Sequence, residues 1–120
     1  MKRILIVEDE PAYLKLLHEQ LVSHGYKVYD ARDGVEGLRL AADKKPDLIL
    51  LDLLMPKIGG LQMLDTLRRL KWGKTMPVFV LTNSNDSHDI SESLNNRASK
   101  YIVKSDLKLE DLFEEIKLFL

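Results

Sequence analysis

The 120-residue chain contains no cysteine. That excludes a disulfide scaffold, a thiolate zinc site, an iron–sulfur cluster and a cysteine nucleophile. It also has no surplus of either charge: 18 Lys and Arg face 19 Asp and Glu. Sequence-independent nucleic-acid binding and polybasic membrane binding both need a positive surplus, so neither is expected. No apolar run approaches the ~20 residues of a membrane span, and the amino terminus has no signal-peptide core. A cytosolic protein is the expectation. Glycine-rich phosphate loops are missing too. Gly73-Lys74-Thr75 is similar to the end of a Walker A loop, but Arg68 stands where that motif requires glycine. His18, His24 and His88 fall at spacings that build no metal site, and the sequon Asn85-Asp86-Ser87 is idle without a secretion signal. What remains is an ordinary globular composition, 45% hydrophobic, in a length that suits one domain over residues 1–120.

Short apolar runs alternate with helical patterns along the whole chain. Ile4-Leu5-Ile6-Val7, Leu48-Ile49-Leu50-Leu51 and Pro77-Val78-Phe79-Val80-Leu81 are continuous and too short for helices. Such runs suit strands buried on both faces. Tyr26 to Ala31 alternates like a strand, and Tyr101-Ile102-Val103 is a short last one. Between them, Leu14, Leu17 and Leu21, widened by Leu16, mark a helix that starts near Pro11 and stops at Gly25. Asp33 and Glu36 form a capping-box pattern ahead of a stripe of Val35, Leu38, Ala41 and Ala42. A loop over 53–60 carries Pro56 and two glycines; Leu61, Leu64, Leu67 and Leu70 then mark a third helix. Residues 83–97 are polar, with Ile90 and Leu94 as anchors of a fourth. Trp72 falls in a connecting loop, and Leu109, Leu112, Phe113, Ile116 and Phe119 build the last helix. Five strands alternating with five helices predict an α/β fold: a doubly wound parallel sheet with helices on both faces.

In such a sheet, ligands bind at the carboxyl ends of the strands. The first strand delivers Glu8 and Asp9 there, the third Asp52, the fourth Thr82 and the fifth Lys104. Each has a bland reading. Asp9 or Glu10 can cap the first helix, and Asp52 can simply form a turn. Thr82 can be a strand residue or a cap, and Lys104 can be solvated. The functional reading rests on their falling on one sheet edge. Crowded carboxylates call for a cation, and an all-oxygen set suits Mg²⁺. An Asp can accept a phosphoryl group, with a hydroxyl and an ammonium to steady its oxygens.

These stretches, taken in order, carry a resemblance over essentially the full length. Ile4 to Glu10, Pro46 to Pro56 with Gly60, Val80-Leu81-Thr82, and Tyr101-Ile102-Val103-Lys104 resemble the receiver domain of two-component response regulators. The resemblance implies the strand order 2-1-3-4-5, which the flavodoxin-like family shows. It implies that Asp52 is the phosphoacceptor and that Glu8, Asp9, Asp52 and the backbone carbonyl of Leu54 hold Mg²⁺. Thr82 and Lys104 would contact the phosphoryl group, and Thr82 with Tyr101 would form the switch. The implied donor is a phosphohistidine on a histidine kinase or histidine phosphotransfer domain. The implied output surface is the fourth helix, fifth strand and fifth helix, acting on an output domain or partner protein, with homodimerisation on activation as one mode. Such a protein is a signalling switch that takes part in its own phosphorylation and dephosphorylation, not an enzyme with a separate substrate. The rival readings are a non-phosphorylated scaffold on the same fold and a Mg²⁺-dependent phosphatase or nucleotide binder.

The chain departs from the family's pattern at three places. Ser105 stands where Pro usually follows the Lys; the usual bond is cis, and a cis Lys104–Ser105 bond would cost roughly 3 kcal/mol. Either that bond is trans and the loop is re-routed, or the strain is kept. Arg97-Ala98 replaces the usual Gly-Ala, and Gly59 replaces an Asp beside Gly60. Leu54 and Ser84, two residues after Asp52 and Thr82, flank the path of an attacking water. An apolar Leu54 is expected to hinder that water and prolong the phosphoryl group's life.

Overall fold

The three apolar runs become the central strands of a sheet because helices cover them on both faces. In the computed structural model, which describes residues 1–55 and 58–120, the strands are β1 (Arg3–Val7), β2 (Lys27–Ala31), β3 (Leu48–Leu51), β4 (Val78–Thr82) and β5 (Lys100–Val103). They pair in parallel in the order β2-β1-β3-β4-β5. The helices are α1 (Pro11–Ser23), α2 (Gly34–Lys44), α3 (Gly60–Arg69), α4 (Ser87–Asn95) and α5 (Leu109–Phe119), with single 3₁₀ turns at Lys71–Gly73 and Lys104–Asp106. Pro56, expected in the loop after Asp52, lies outside the described residues. Among the described residues no helix is long and apolar enough to cross a membrane.

Strand alternation divides the core in two. Ile4, Ile6, Leu48, Leu50, Phe79 and Leu81 meet Leu14, Leu17 and Leu21 of α1 and Leu112, Phe113 and Ile116 of α5. Leu5, Val7, Ile49, Leu51, Val78 and Val80 meet Ala41 of α2 and Met63, Leu64 and Leu67 of α3. Both faces of the central strands are thus covered, which is why their sequences show no polar alternation.

Several expected core positions are displaced. Val35 is exposed; α2 instead turns Gly34, Gly37 and Ala41 inward. A side chain at Gly34 would press on Ile58, so this helix packs by close backbone approach and leaves Val35 outside. In α4 the expected anchor Leu94 is 55% exposed, while Ser93 is the buried residue. Leu16 and Phe119 are also partly exposed, at 39% and 41%, although the Phe119 ring still meets Phe79 edge-on at 5.0 Å. Trp72 lies in the first 3₁₀ turn, half-buried, with Lys45 Nζ 4.8 Å from its ring centre.

The departures from the family pattern have definite outcomes. The Lys104–Ser105 bond is trans, and the chain turns there through the second 3₁₀ turn. Arg97 takes the left-handed conformation itself, at φ 58°, so the turn before β5 is kept without glycine. Gly59 sits at the N-cap of α3 and offers no side-chain cap.

Candidate functional site

The ends of β1, β3, β4 and β5 each place a polar residue where the sheet opens, whereas β2 ends in the buried Ala31. β1 and β3 run side by side, with Val7 opposite Leu51, so Glu8 and Asp52 leave the sheet as neighbours. Gly60 brings α3 close against this edge. A Cβ there would fall 2.3 Å from the Asp52 carbonyl oxygen, so only glycine lets the helix begin at the back of Asp52. The helix cap of α1 is Glu10, whose carboxylate accepts from the amides of Ala12 at 3.1 Å and Tyr13 at 2.7 Å. With Glu10 at that position, the capping alternative for Asp9 falls away.

The carboxylates of Glu8, Asp9 and Asp52 each present an oxygen within 4.8 Å of the others. Glu8 and Asp52 are buried and Asp9 is half-buried. Lys104 Nζ donates to Glu8 Oε1 at 2.5 Å and lies 3.5 Å from Asp52 Oδ2. Asp52 Oδ1 accepts from the Leu54 amide at 3.2 Å, and Glu8 Oε2 from the Glu10 amide at 3.1 Å. The turn-forming reading of Asp52 is therefore correct for one oxygen, and the other faces the ammonium. Together Glu8, Asp9, Asp52, Leu54, Asn83 and Lys104 line a cavity of about 430 Å³.

Burial is the largest influence on both charged partners. It pushes the Glu8 carboxyl up, with the bonds from Lys104 and Glu10 opposing and Asp52 adding to the rise. Burial disfavours the Lys104 ammonium as well, but the bond to Glu8 and the charges of Asp52 and Glu8 outweigh it, and Lys104 is raised. The ammonium is shared between Glu8 and Asp52, two of the three acids a metal would draw on. The donor set fits Mg²⁺: oxygen alone, concentrated at one point, with room left for water.

Thr82 sits at the end of β4, fully buried and outside the cavity lining, with Oγ1 3.4 Å from the Ser84 amide. Tyr101, on β5, reaches the 83–86 loop. Its hydroxyl donates to the Ser84 carbonyl at 2.8 Å, and burial pushes its phenol up. Ser84 Oγ in turn donates to Asp89 at 2.5 Å, tying the loop to α4. So Glu8, Asp9, Asp52, Leu54 and Lys104 share one cavity, while Thr82 and Tyr101 lie outside its lining and each contact Ser84.

Sequence reasoning missed two neighbours. Asn83 joins the cavity wall, which its place directly after Thr82 could have suggested. Tyr13 covers Lys104, with Nζ 4.3 Å from the ring centre. It lies two positions past the predicted helix start, but nothing local pairs it with a residue of β5's end.

With this geometry established, similarity to known proteins becomes specific. Residues 4–117 match the model of the response regulator receiver domain. The chain belongs to that family. The receiver is 35% identical over 120 residues to RpaA, a DNA-binding dual master transcriptional regulator of Synechocystis, covering all of this chain and 49% of RpaA. It spans about half the length of the curated relatives it matches. Among solved structures it resembles the chemotaxis protein CheY4 of Vibrio cholerae (TM-score 0.90, 27% identity, 100% of this chain and 99% of that one). It also resembles TrrA of Thermotoga maritima, solved with Mg²⁺ and a beryllium fluoride group (TM-score 0.87, 36% identity, both chains fully covered). The receiver fold and the acidic cluster at its strand ends thus agree with the family.

Proposed function

We propose that this receiver is a phosphorylation-dependent signalling switch with Asp52 as its phosphoacceptor. The observation that carries the reading is the convergence of Glu8, Asp9, Asp52 and Lys104 at one strand edge. Glu8, Asp9, Asp52 and the Leu54 carbonyl would hold Mg²⁺, which supplies positive charge to phosphoryl oxygens when bound. The donor is a phosphohistidine of a histidine kinase or phosphotransfer domain. Its N–P bond breaks as an Asp52 O–P bond forms, and the freed imidazole takes up a proton. Catalysis needs little beyond position and charge here. Lys104 neutralises the growing charge, and Asp52 is oriented beforehand by the Leu54 amide.

The phosphoryl group adds about −2 charge beside Lys104 and Thr82. The Thr82 hydroxyl turns to donate to it, leaving the Ser84 amide. The loop held by Ser84–Asp89 and Tyr101–Ser84 then shifts between two arrangements, and the α4-β5-α5 surface changes with it. α4 is suited to that role because Ser93 is its one buried residue among those described. The output lies with a further domain or a partner protein that reads this surface.

Incubating the full chain with Mg²⁺ and acetyl phosphate tests the reading by intact mass. A gain of one phosphoryl group, lost in D52N and without Mg²⁺, is expected. Absence of any gain would favour a non-phosphorylated scaffold.

A further inference from the structure

Lys104 has a third neighbour that the phosphoacceptor chemistry does not require. Its side chain is only 13% exposed, and Glu8 and Asp52 take up one side of the ammonium. The other partner is the face of the Tyr13 ring, at 4.3 Å. This is well inside the ~6 Å at which a ring's negative face attracts a cation. The ring is itself fixed. Tyr13 sits in the first turn of α1, its amide held by Glu10 at 2.7 Å, and its ring packs on the core formed by α1, α5 and the sheet. Directly after Lys104, Ser105 is exposed and the chain bends through a short 3₁₀ turn. The ammonium is thus met by a ring carried on α1.

The two kinds of neighbour differ in what they ask of Lys104. A carboxylate claims an N–H and holds the ammonium where that carboxylate is. A ring face attracts the charge without claiming a directed N–H, so the protons stay free to point elsewhere. Once Glu8 and Asp52 have other partners, the ring still keeps the cation over the cavity and keeps water from its back.

We propose that Tyr13 is a positioning residue for phosphoryl transfer to Asp52, its ring face holding the Lys104 ammonium toward the incoming group. The inference rests on the phosphoacceptor reading above. It concerns an attraction to the ring's electrons, so it is separable from simple packing.

The test measures the rate of Mg²⁺-dependent phosphorylation of the full chain by acetyl phosphate, across donor concentrations. The variants are Y13F, Y13L, and phenylalanines of rising ring fluorination placed at position 13. Fluorine withdraws the ring's negative face while leaving its shape nearly unchanged. Y13F should match the parent within about twofold, and the rate should fall stepwise to about fivefold lower with the fully fluorinated ring. Y13L should fall as far, and unfolding midpoints should stay level across the fluorinated series. A rate indifferent to fluorination, or Y13L equal to the parent, would overturn the role of Tyr13. A parent chain that takes up no phosphoryl group would instead overturn the reading beneath it.

Discussion

Lys104 and Glu8 form the tightest charge pair of the site, at 2.5 Å, a full ångström closer than Lys104 stands to Asp52. The ammonium and a divalent cation therefore compete for the same carboxylates. K104M should bind Mg²⁺ more tightly than the parent, by about fivefold, a coupling of about 1 kcal/mol. The same variant should be phosphorylated more slowly. Calorimetric titration checks the first outcome; an unchanged or weakened affinity would mean that Lys104 does not guard the acids.

The raised Glu8 carboxyl gives the metal-free protein a pH signature. Burial raises it above its ordinary 4.5, so the native state holds that proton more readily than the unfolded chain does. Such a group contributes stability that is fully present below 4.5 and is lost as pH rises through the raised value. Lys104, also raised, keeps its contribution until pH climbs beyond 10.5, so it does not disturb that window. Denaturant unfolding without divalent ions should show the stability of the parent relative to E8Q declining as pH rises above 4.5. A difference that stays constant with pH would contradict this.

Leu54 is 56% exposed and lines the same cavity as Asp52, so we expect it to screen Asp52 from water. Replacing it with Asn removes the apolar screen and adds groups that can orient water. Phosphoryl loss from L54N should be faster by about tenfold, a barrier change of about 1.4 kcal/mol. Timing the decay after removal of donor reads this directly, and an equal or slower decay would count against the screen.

Arg68 is 6% exposed and donates to four carbonyls: Gly73 at 2.7 Å, Met76 and Asn96 at 2.8 Å, and Arg97 at 3.1 Å. It closes the end of α3 onto the chain after α4, including the left-handed Arg97. R68M would strand the buried Gly73 and Met76 carbonyls and release those of Asn96 and Arg97, and should cost about 3 kcal/mol in urea unfolding. R68K should recover part of the loss. A cost below about 1 kcal/mol would show that water can replace the guanidinium.

These residues also mark where sequence reasoning reaches its limit. The strands were legible because burial on both faces leaves an unbroken apolar run, as in Leu48 to Leu51. The acids and Lys104 were legible because strand ends in a parallel sheet all point to one edge. Val35 and Leu94 misled because periodicity reports which residues could be buried, and not which face a neighbour covers. Close backbone approach at Gly34 leaves Val35 outside, and α4 buries only Ser93 among its described residues. Arg68 and Tyr13 were hidden for another reason. Their partners are carbonyls and an ammonium brought in from distant segments, and no local spacing encodes such a meeting.

The central claim is chemical: Asp52 carries the phosphoryl group. Borohydride reduction of the phosphorylated chain converts an aspartyl phosphate to homoserine, and peptide mapping then locates it. Homoserine at position 52, and only when Mg²⁺ and donor were present, is the predicted result. Homoserine at another position, or at none, would contradict the account.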